Sequence, residues 1–281
     1  MASNITTLLN NEAAWPNSTI IEAPQAIPEA LIFRLATRGG TVGGDSQTAR
    51  IAYVDDDADA AFIKEGEAIT ADAPTISELV VPTKKIAVLT VASRESYAAE
   101  GVPNMLGGSL ARSVTAKADA AFLADPAPAG SAIGMTGLAN YEGITDGGSI
   151  TDSLDPIIDA IATISGNGAT PTAIVMGYDS WAYLLKLKDG SKRTYIGADV
   201  ANSATPQLYG LPVILSPHAA KKTVLIIDST QVVSAVGQVM TATSSERYFE
   251  SDSIGIRVTF RFGYGVLRPD RLAKLTVGAG E

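Results

Sequence analysis

Cysteine is absent from the chain, histidine occurs once, and aromatic residues make up only 6 % of it. The first absence excludes disulfides, thiolate nucleophiles and cysteine-ligated zinc. With His218 as the single imidazole, a Ser-His-Asp triad has one possible base, and a metal site has to be almost purely carboxylate. Basic residues are in the minority, 21 against 30 acidic, for a net charge of −9 and a pI near 4.7. Strong phosphate binding runs on clustered Lys and Arg, so a dedicated nucleic-acid binder is disfavoured. No apolar run approaches the roughly 18 residues of a spanning helix, and MASNITTLLNNEAAW has neither the basic nor the apolar block of a signal peptide. The expectation is a soluble protein that is not exported, with the sequons Asn4-Ile5-Thr6 and Asn17-Ser18-Thr19 left unglycosylated.

What is present is a globular composition, 46 % hydrophobic and 18 % charged over 281 residues, enough for a sizeable core in two subdomains. Leu106, Leu110, Val114 and Ala118 recur every four residues and Ala121 with Phe122 extends the stripe, while Arg112, Lys117 and Asp119 fall elsewhere. This spacing predicts a long amphipathic helix over 104–124, opened by Pro103 and closed by Pro126.

Residues 1–27 carry Trp15, Ile20 and Ile21 among Asn, Thr and Pro with no sustained period, which reads as an extended arm that is disordered or laid on another surface. A short ordered segment over 28–35 ends at Arg38-Gly39-Gly40. Two β-like runs, Ile51 to Ile63 and Leu79 to Val91, flank Lys64-Glu65-Gly66-Glu67 and a Pro74-containing tip, the pattern of a long hairpin. Its return run is apolar on both faces, Ile86, Val88 and Thr90 against Ala87, Leu89 and Val91, so packing on a neighbouring chain is expected. After a Gly/Ala/Pro-rich loop, Asp155-Pro156 starts a helix with Ile157, Ile158, Ile161 and Ile164 inward. Ala173 to Met176 is a short buried strand, and Asp179 caps a helix carrying Trp181, Leu184 and Leu185. Leu211 to Leu215 and Val224 to Ile227 complete a β-α-β-like unit. Ile254, Ile256, Val258 and Phe260 alternate with Gly255, Arg257, Thr259 and Arg261 as a half-exposed antiparallel strand.

Each chemical motif is incomplete. Asp55-Asp56-Asp57-Ala58-Asp59 spaces carboxylates as a calcium loop does, but Ala60 stands where the loop needs glycine and no glutamate closes it. Gly39-Gly40 to Gly44 lacks the Gly-Lys-Ser/Thr ending of a phosphate loop, and Gly263-Tyr264-Gly265 lacks the third glycine of a dinucleotide fingerprint; both read as turns. His218 follows Pro217 with no Gly-x-Ser-x-Gly elbow anywhere. Lys186, Lys188, Lys192 and Arg193 form the densest basic stretch, the usual complement of a helix C-terminus and a solvated loop. An arm, a projecting hairpin and no convergent polar cluster point to assembly rather than catalysis.

In order and spacing these features resemble the major capsid proteins of tailed bacteriophages, the Hong Kong 97-like fold. The matching residues are Phe62-Ile63-Lys64-Glu65-Gly66, leading into Lys85-Ile86-Ala87-Val88 and Val91-Ala92-Ser93-Arg94-Glu95. Leu110-Ala111-Arg112 to Asp119-Ala120-Ala121-Phe122-Leu123, Val175-Met176 to Trp181, and Gly210-Leu211-Pro212-Val213-Ile214-Leu215-Ser216 follow. Ile227-Asp228, Ile254 to Arg261 and Leu267-Arg268-Pro269-Asp270 to Leu275 complete them, so the resemblance covers most of the chain.

The resemblance implies an α+β fold with a long spine helix, a projecting β-hairpin (the E-loop) and a mixed α/β A domain. On it, residues 1–27 are the extended N-terminal arm, 28–50 the start of the P domain and 51–93 the E-loop hairpin. Residues 94–126 are the P domain with its spine helix, 127–242 the A domain, 243–266 the return strands of the P domain and 267–281 a C-terminal A-domain strand. The implied function is structural and non-enzymatic: self-assembly into an icosahedral shell of hexamers and pentamers that encloses viral DNA. Implied partners are further copies of the chain, a separate scaffolding protein, a portal, optionally a decoration protein, and packaged DNA held without sequence specificity. No cofactor, metal, catalytic residue or membrane is implied, and the location is the virion after assembly in the host cytoplasm. The expected contact residues are Trp15, Ile20, Ile21, Lys64, Glu65, Glu67, Lys84, Lys85, Arg94, Lys192 and Arg193.

Two departures from the family shape these expectations. Some members carry a charged N-terminal scaffolding region, whereas Met1 here leads directly into the arm, hence the separate scaffold. Some crosslink a hairpin lysine to a C-terminal asparagine, but the last asparagine here is Asn202, so no such crosslink is expected. An encapsulin-type nanocompartment is the alternative within the fold, although encapsulins begin with a charged amphipathic helix. A hydrolase or sugar-binding enzyme is the distant alternative and needs a polar pocket.

Overall fold

The computed structural model describes residues 18–42, 46–56, 62–63, 73–130, 133–188, 190–197 and 206–278. From the N-terminus these form β1 (Ser18–Ile21), the single-turn helices α1 (Ala23–Ala26) and α2 (Ile32–Leu35), β2 (Thr37–Thr41), β3 (Thr48–Asp56) and β4 (Thr75–Pro82). Next come β5 (Lys84–Ser93), α3 (Arg94–Ala98), α4 (Val102–Leu123), β6 (Thr145–Ile150), α5 (Asp155–Gly166), β7 (Ala173–Met176) and α6 (Tyr178–Lys186). The chain ends with β8 (Gln207–Leu208), β9 (Leu211–Leu215), β10 (Thr223–Ile227), β11 (Val232–Tyr248), β12 (Ser253–Val266) and β13 (Ala273–Val277).

The four-residue apolar spacing produces α4, which starts two residues earlier than expected because Gly101, at φ 82°, turns the chain into it. Twenty-two residues make a rod of roughly 33 Å. Leu110, Val114, Ala118, Ala121 and Phe122 are buried, with Leu106 packed beside them. Asn140 closes the C-terminal end, its Nδ2 donating to the Ala124 carbonyl at 2.9 Å and the Asp125 carbonyl at 3.2 Å. Asp119, expected off the stripe, is 7 % exposed, and its Oδ1 accepts the Leu31 N–H at 2.8 Å. The carboxylate thereby satisfies a donor at the start of α2, which has no cap of its own. Burial raises the Asp119 pKa, and the Leu31 hydrogen bond and the charge of His218 only partly oppose that.

Under α4 lies a sheet in the order β1-β11-β12-β5, with β2 parallel to β11 on the same edge as β1. The alternate β12 residues Phe260, Phe262 and Tyr264 face α4, where Phe122 meets Tyr264 edge-on at 4.9 Å between ring centres. The opposite face of β12 is less open than its alternation predicts. Tyr248 lies over Gly255, Thr259 is buried, and the Arg261 guanidinium donates to the Thr83 carbonyl at 3.3 Å. The described glycines of the two motifs expected as turns are strand residues. Gly39 and Gly40 lie in β2, and a Cβ on Gly39 would sit 2.1 Å from Val233 Cγ1; Gly263 and Gly265 lie in β12.

The second sheet runs β6-β13-β10-β7-β9-β8. On one face Ile174, Met176, Val224 and Ile226 pack under α5 and α6. On the other, Ala173, Val175, Leu225 and Ile227 join the core beneath α4, so the central strands are covered twice. In α5 the inward set is Ile157, Ala160 and Ile164, whereas Ile158, expected inward, is exposed because the helical period carries it to the outer side. Gly177, not Asp179, occupies the N-cap of α6. Asp179 instead accepts the Lys222 N–H at 3.0 Å. Desolvation works against its charge, but backbone N–H groups of Lys222, Ser180 and Asp179 itself, with the Lys221 charge, hold its pKa below the usual value.

Besides the passage from β5 through α3 and α4 to β6, two short connections join the sheets. Between β10 and β11, buried Asp228 accepts Thr170 N–H at 2.8 Å, Thr230 N–H at 2.9 Å and the Thr230 hydroxyl at 2.6 Å. Between β12 and β13, Leu267 N–H donates to the Gln231 carbonyl of the first connection at 2.8 Å.

Candidate assembly surfaces

Among the described residues β3 and β4 pair only with each other, from Thr48 opposite Pro82 to Asp56 opposite Thr75. A two-stranded ribbon is marginal alone, so its stability comes from its base. There Val81 is buried against Val42 and Ala235, with Ile51 and Leu79 alongside. Gly263 and Gly265 make the seat possible: a Cβ on Gly263 would lie 2.4 Å from the Pro82 carbonyl oxygen, and one on Gly265 2.8 Å from Leu79. The Arg268 guanidinium donates to the Val54 carbonyl at 3.3 Å and to the Asp55 carbonyl, gripping the far strand. The Arg50–Glu78 ion pair at 3.2 Å is open to solvent and adds little.

The hairpin is shorter than the sequence suggests. The run Leu79 to Val91 breaks at Pro82-Thr83: Thr83 N–H donates to the Gln47 carbonyl at 2.8 Å and its hydroxyl to the Ser46 carbonyl at 2.6 Å. From Lys84 the chain leaves β3 and pairs with β12 as β5. On β5, Ile86 and Val88 pack toward α4, while Leu89 and Val91, on the other face, are 51 % and 47 % exposed. Val54, Ile76 and Val80 leave apolar surface on the hairpin, and Phe62 beyond β3 is fully exposed.

The expected contact residues fall in several places. Trp15, Lys64, Glu65 and Glu67 lie outside the described residues, as do Asp57 and Asp59 of the calcium-like run. Ile20 and Ile21 sit opposite Met240 and Val239 in β1, rooted on the chain's own sheet. Lys84 and Lys85 begin β5 beside the hairpin base rather than lying on the projection. Arg94 pairs with Asp252 at 2.8 Å within the chain. Lys192, at φ 63°, and Arg193 are exposed in the turn after α6, remote in sequence from the rest. Sequence reasoning missed Arg268 and the paired glycines of β12; small residues at alternate positions of a strand were the available signal.

His218 lies in the turn after β9, its N–H donating to Ser216 Oγ at 3.1 Å. Among the described residues no group of three carboxylate or imidazole side chains could hold a metal, and no helix is long and apolar enough to cross a membrane.

The Phage capsid family model matches residues 17–277. A solved structure from Gordonia phage Cozz is similar at a TM-score of 0.69 and 14 % identity, covering 100 % of this chain and 92 % of that one. One from Mycobacterium phage Bobi gives 0.67 at 14 % identity, covering 99 % of each chain. The capsid of a native GTA particle gives 0.66 at 16 % identity, covering 88 % of this chain and 90 % of that one. No curated protein matches the sequence. At such identities the solved structures establish the α+β fold, and the family model, spanning nearly the whole sequence, establishes the rest: the chain belongs to the phage capsid family and is a structural protein that builds a capsid from copies of itself.

Proposed function

We propose that this major capsid protein closes into an icosahedral head of hexamers and pentamers around packaged DNA, with the hairpin and the N-terminal arm as its principal subunit contacts. The carrying observation is the hairpin itself, a ribbon whose Val54, Ile76, Val80 and Phe62 face solvent in the isolated chain. A stable contact needs about 1,200 Å² or more, and projections supply that area without enlarging the body. In this reading residues 51–82 act as the E-loop, α4 as the spine, and the six-stranded sheet with α5 and α6 as the A domain. Ile20 and Ile21 root the arm, Trp15 reaches the neighbour, and Lys64, Glu65, Glu67, Lys84, Lys85, Arg94, Lys192 and Arg193 line contacts. A separate scaffolding protein, a portal and an optional decoration protein complete the head. The acidic balance suits a container that must not grip its DNA, and no residue is given a catalytic role.

The test is electron microscopy of the purified chain, expressed alone and with a neighbouring scaffold gene. Closed empty shells of uniform diameter are expected. Shells filled with a host enzyme would indicate a nanocompartment, and compact monomers under both conditions would refute the shell. Replacing residues 57–74 by a two-residue turn is expected to abolish shells and leave a folded monomer; normal particles from it would remove the hairpin from the contacts. This deletion spares Leu79, which the hairpin base needs.

A further inference from the structure

Charge is unevenly divided over the six-stranded sheet and its helices. Between Lys117 and Lys186 there is no lysine, arginine or histidine, against eight aspartates and glutamates. From Lys186 to Lys222 the balance reverses, with six lysines and arginines to two aspartates. Resting on the shell-building reading above, we infer that the basic loop after α6 docks on the acidic face of α5 in a second copy, and that this contact repeats head to tail around a ring.

The fold gives each set of charges a firm mount. Asp152, Asp155 and Asp159 are exposed on α5 and the turn before it, beside Ile158 at 45 % exposure, and α5 carries no cation. The loop 187–196 is rooted at both ends: Leu187 and Ile196 are buried in the core of this sheet, the Leu187 carbonyl accepts the Tyr195 N–H at 3.2 Å, and Lys188 bridges to Thr194. Lys188, Lys192 and Arg193 are thus exposed on a closed loop, with Lys186 in the last turn of α6 just before them.

Among the described residues, Lys186, Lys188 and Lys192 form no ion pair, and neither do Asp152, Asp155 and Asp159. α5 lies against β6 and β13 at one edge of the sheet, whereas the loop leads into β8 at the other. Unlike patches on opposite edges of one body join copies head to tail, and such contacts close into a ring when the rotation between copies permits. Exposed ion pairs are individually weak, so the arrangement supplies direction and register, repeated at every subunit.

The test reverses each side in turn. Lys188→Glu with Lys192→Glu inverts the loop, and Asp152→Lys with Asp159→Lys inverts the α5 face. Either pair alone is expected to lower shell yield at least about tenfold with an unchanged monomer melting temperature. All four together are expected to restore it to within about threefold, because both sides of the contact then change sign. Normal shells from either pair alone overturn the inference and leave the shell-building reading intact; failure of the fourfold variant to recover also overturns it. As a second readout, the absence of cysteine allows Lys192→Cys and Asp159→Cys in one subunit to be bridged in assembled particles with a short bismaleimide. A covalent ladder that stops at rings of five and six chains is expected. Dimers alone indicate a two-fold contact and overturn the ring, and normal shells without bridging overturn the contact. If the parent chain forms no shells at all, the shell-building reading fails and this inference with it.

Discussion

The six-stranded sheet and the long-stranded sheet differ in what lies on their faces. In the first, β7 and β10 are short, apolar at every position but Thr223, and covered on both sides, by α5 and α6 above and the α4 core below. In the second, one face is sealed by α4, while the other carries the hairpin base at one end and exposed Leu89 and Val91 at the other. The first region closes its own core; the second keeps apolar surface uncovered, as a subunit that builds a larger body must. The same sequence composition thus serves stability in one place and association in another.

Core truncation gives the largest contrast. Ile174→Ala in β7 is expected to cost about 2–5 kcal/mol of monomer stability by denaturant unfolding, because a fully buried side chain leaves a cavity. Leu89→Ser on the open face should change the monomer by less than about 0.5 kcal/mol. Equal losses at both sites would erase the distinction between the regions.

Next is Gly263→Ala. Its Cβ meets backbone at 2.4 Å, so the hairpin has to lift from the sheet, at about 1–3 kcal/mol. Protease accessibility of the hairpin should rise in step; an unchanged digestion pattern would show that the seat tolerates a methyl group. Asp119→Ala, which strands the Leu31 N–H, should also cost about 1–3 kcal/mol, and Asp119→Asn much less because an amide oxygen can still accept.

The smallest effects are in pH dependence, and their signs separate the regions. The folded pKa of Asp119 is raised by burial, so its stabilising contribution is full below the unfolded pKa and is lost as pH rises through the folded value. The cost of Asp119→Asn relative to the parent should therefore shrink as pH rises toward neutral and grow again on acidification. Asp179 has a lowered pKa, so its contribution is present above the ordinary value of 3.8 and is lost as pH falls through the folded value. Asp179→Asn should lose ground at neutral pH and recover it in acid. Parallel pH profiles for the two variants would contradict this assignment. Boiled particles should run as a single monomer band; a covalent ladder would reveal a crosslink that the position of Asn202 argues against.

What the sequence made legible was local. The α4 stripe, the β7 run and the paired strands of the last third follow from periods of four and two. The break at Pro82-Thr83 carries a local signal, a proline followed by Thr83-Lys84-Lys85, but the choice between β3 and β12 as partner is made by Thr83 reaching Ser46 and Gln47, which no local pattern shows. Asp119 read as a surface residue because its partner, Leu31, is 88 positions away. Of the expected contact residues, Lys84, Lys85 and Arg94 stand out by charge alone, which says nothing of the Asp252 pairing or of the Arg268 grip on the hairpin.

The paired connections between the sheets have a mechanical consequence. Both reach the long-stranded sheet at the same end, at Val232 of β11 and Val266 of β12, which lie opposite each other. Tension carried by these two connections enters two adjacent strands at one end and runs along them, while the third link, through α3 and α4, leaves β5 at the opposite end. Hydrogen bonds to β1, β2 and β5 are then loaded in shear, all together, rather than peeled one after another. A sheet strained in that direction yields only when a whole row of bonds gives way, and a shell built from copies of this chain shares that resistance at every subunit.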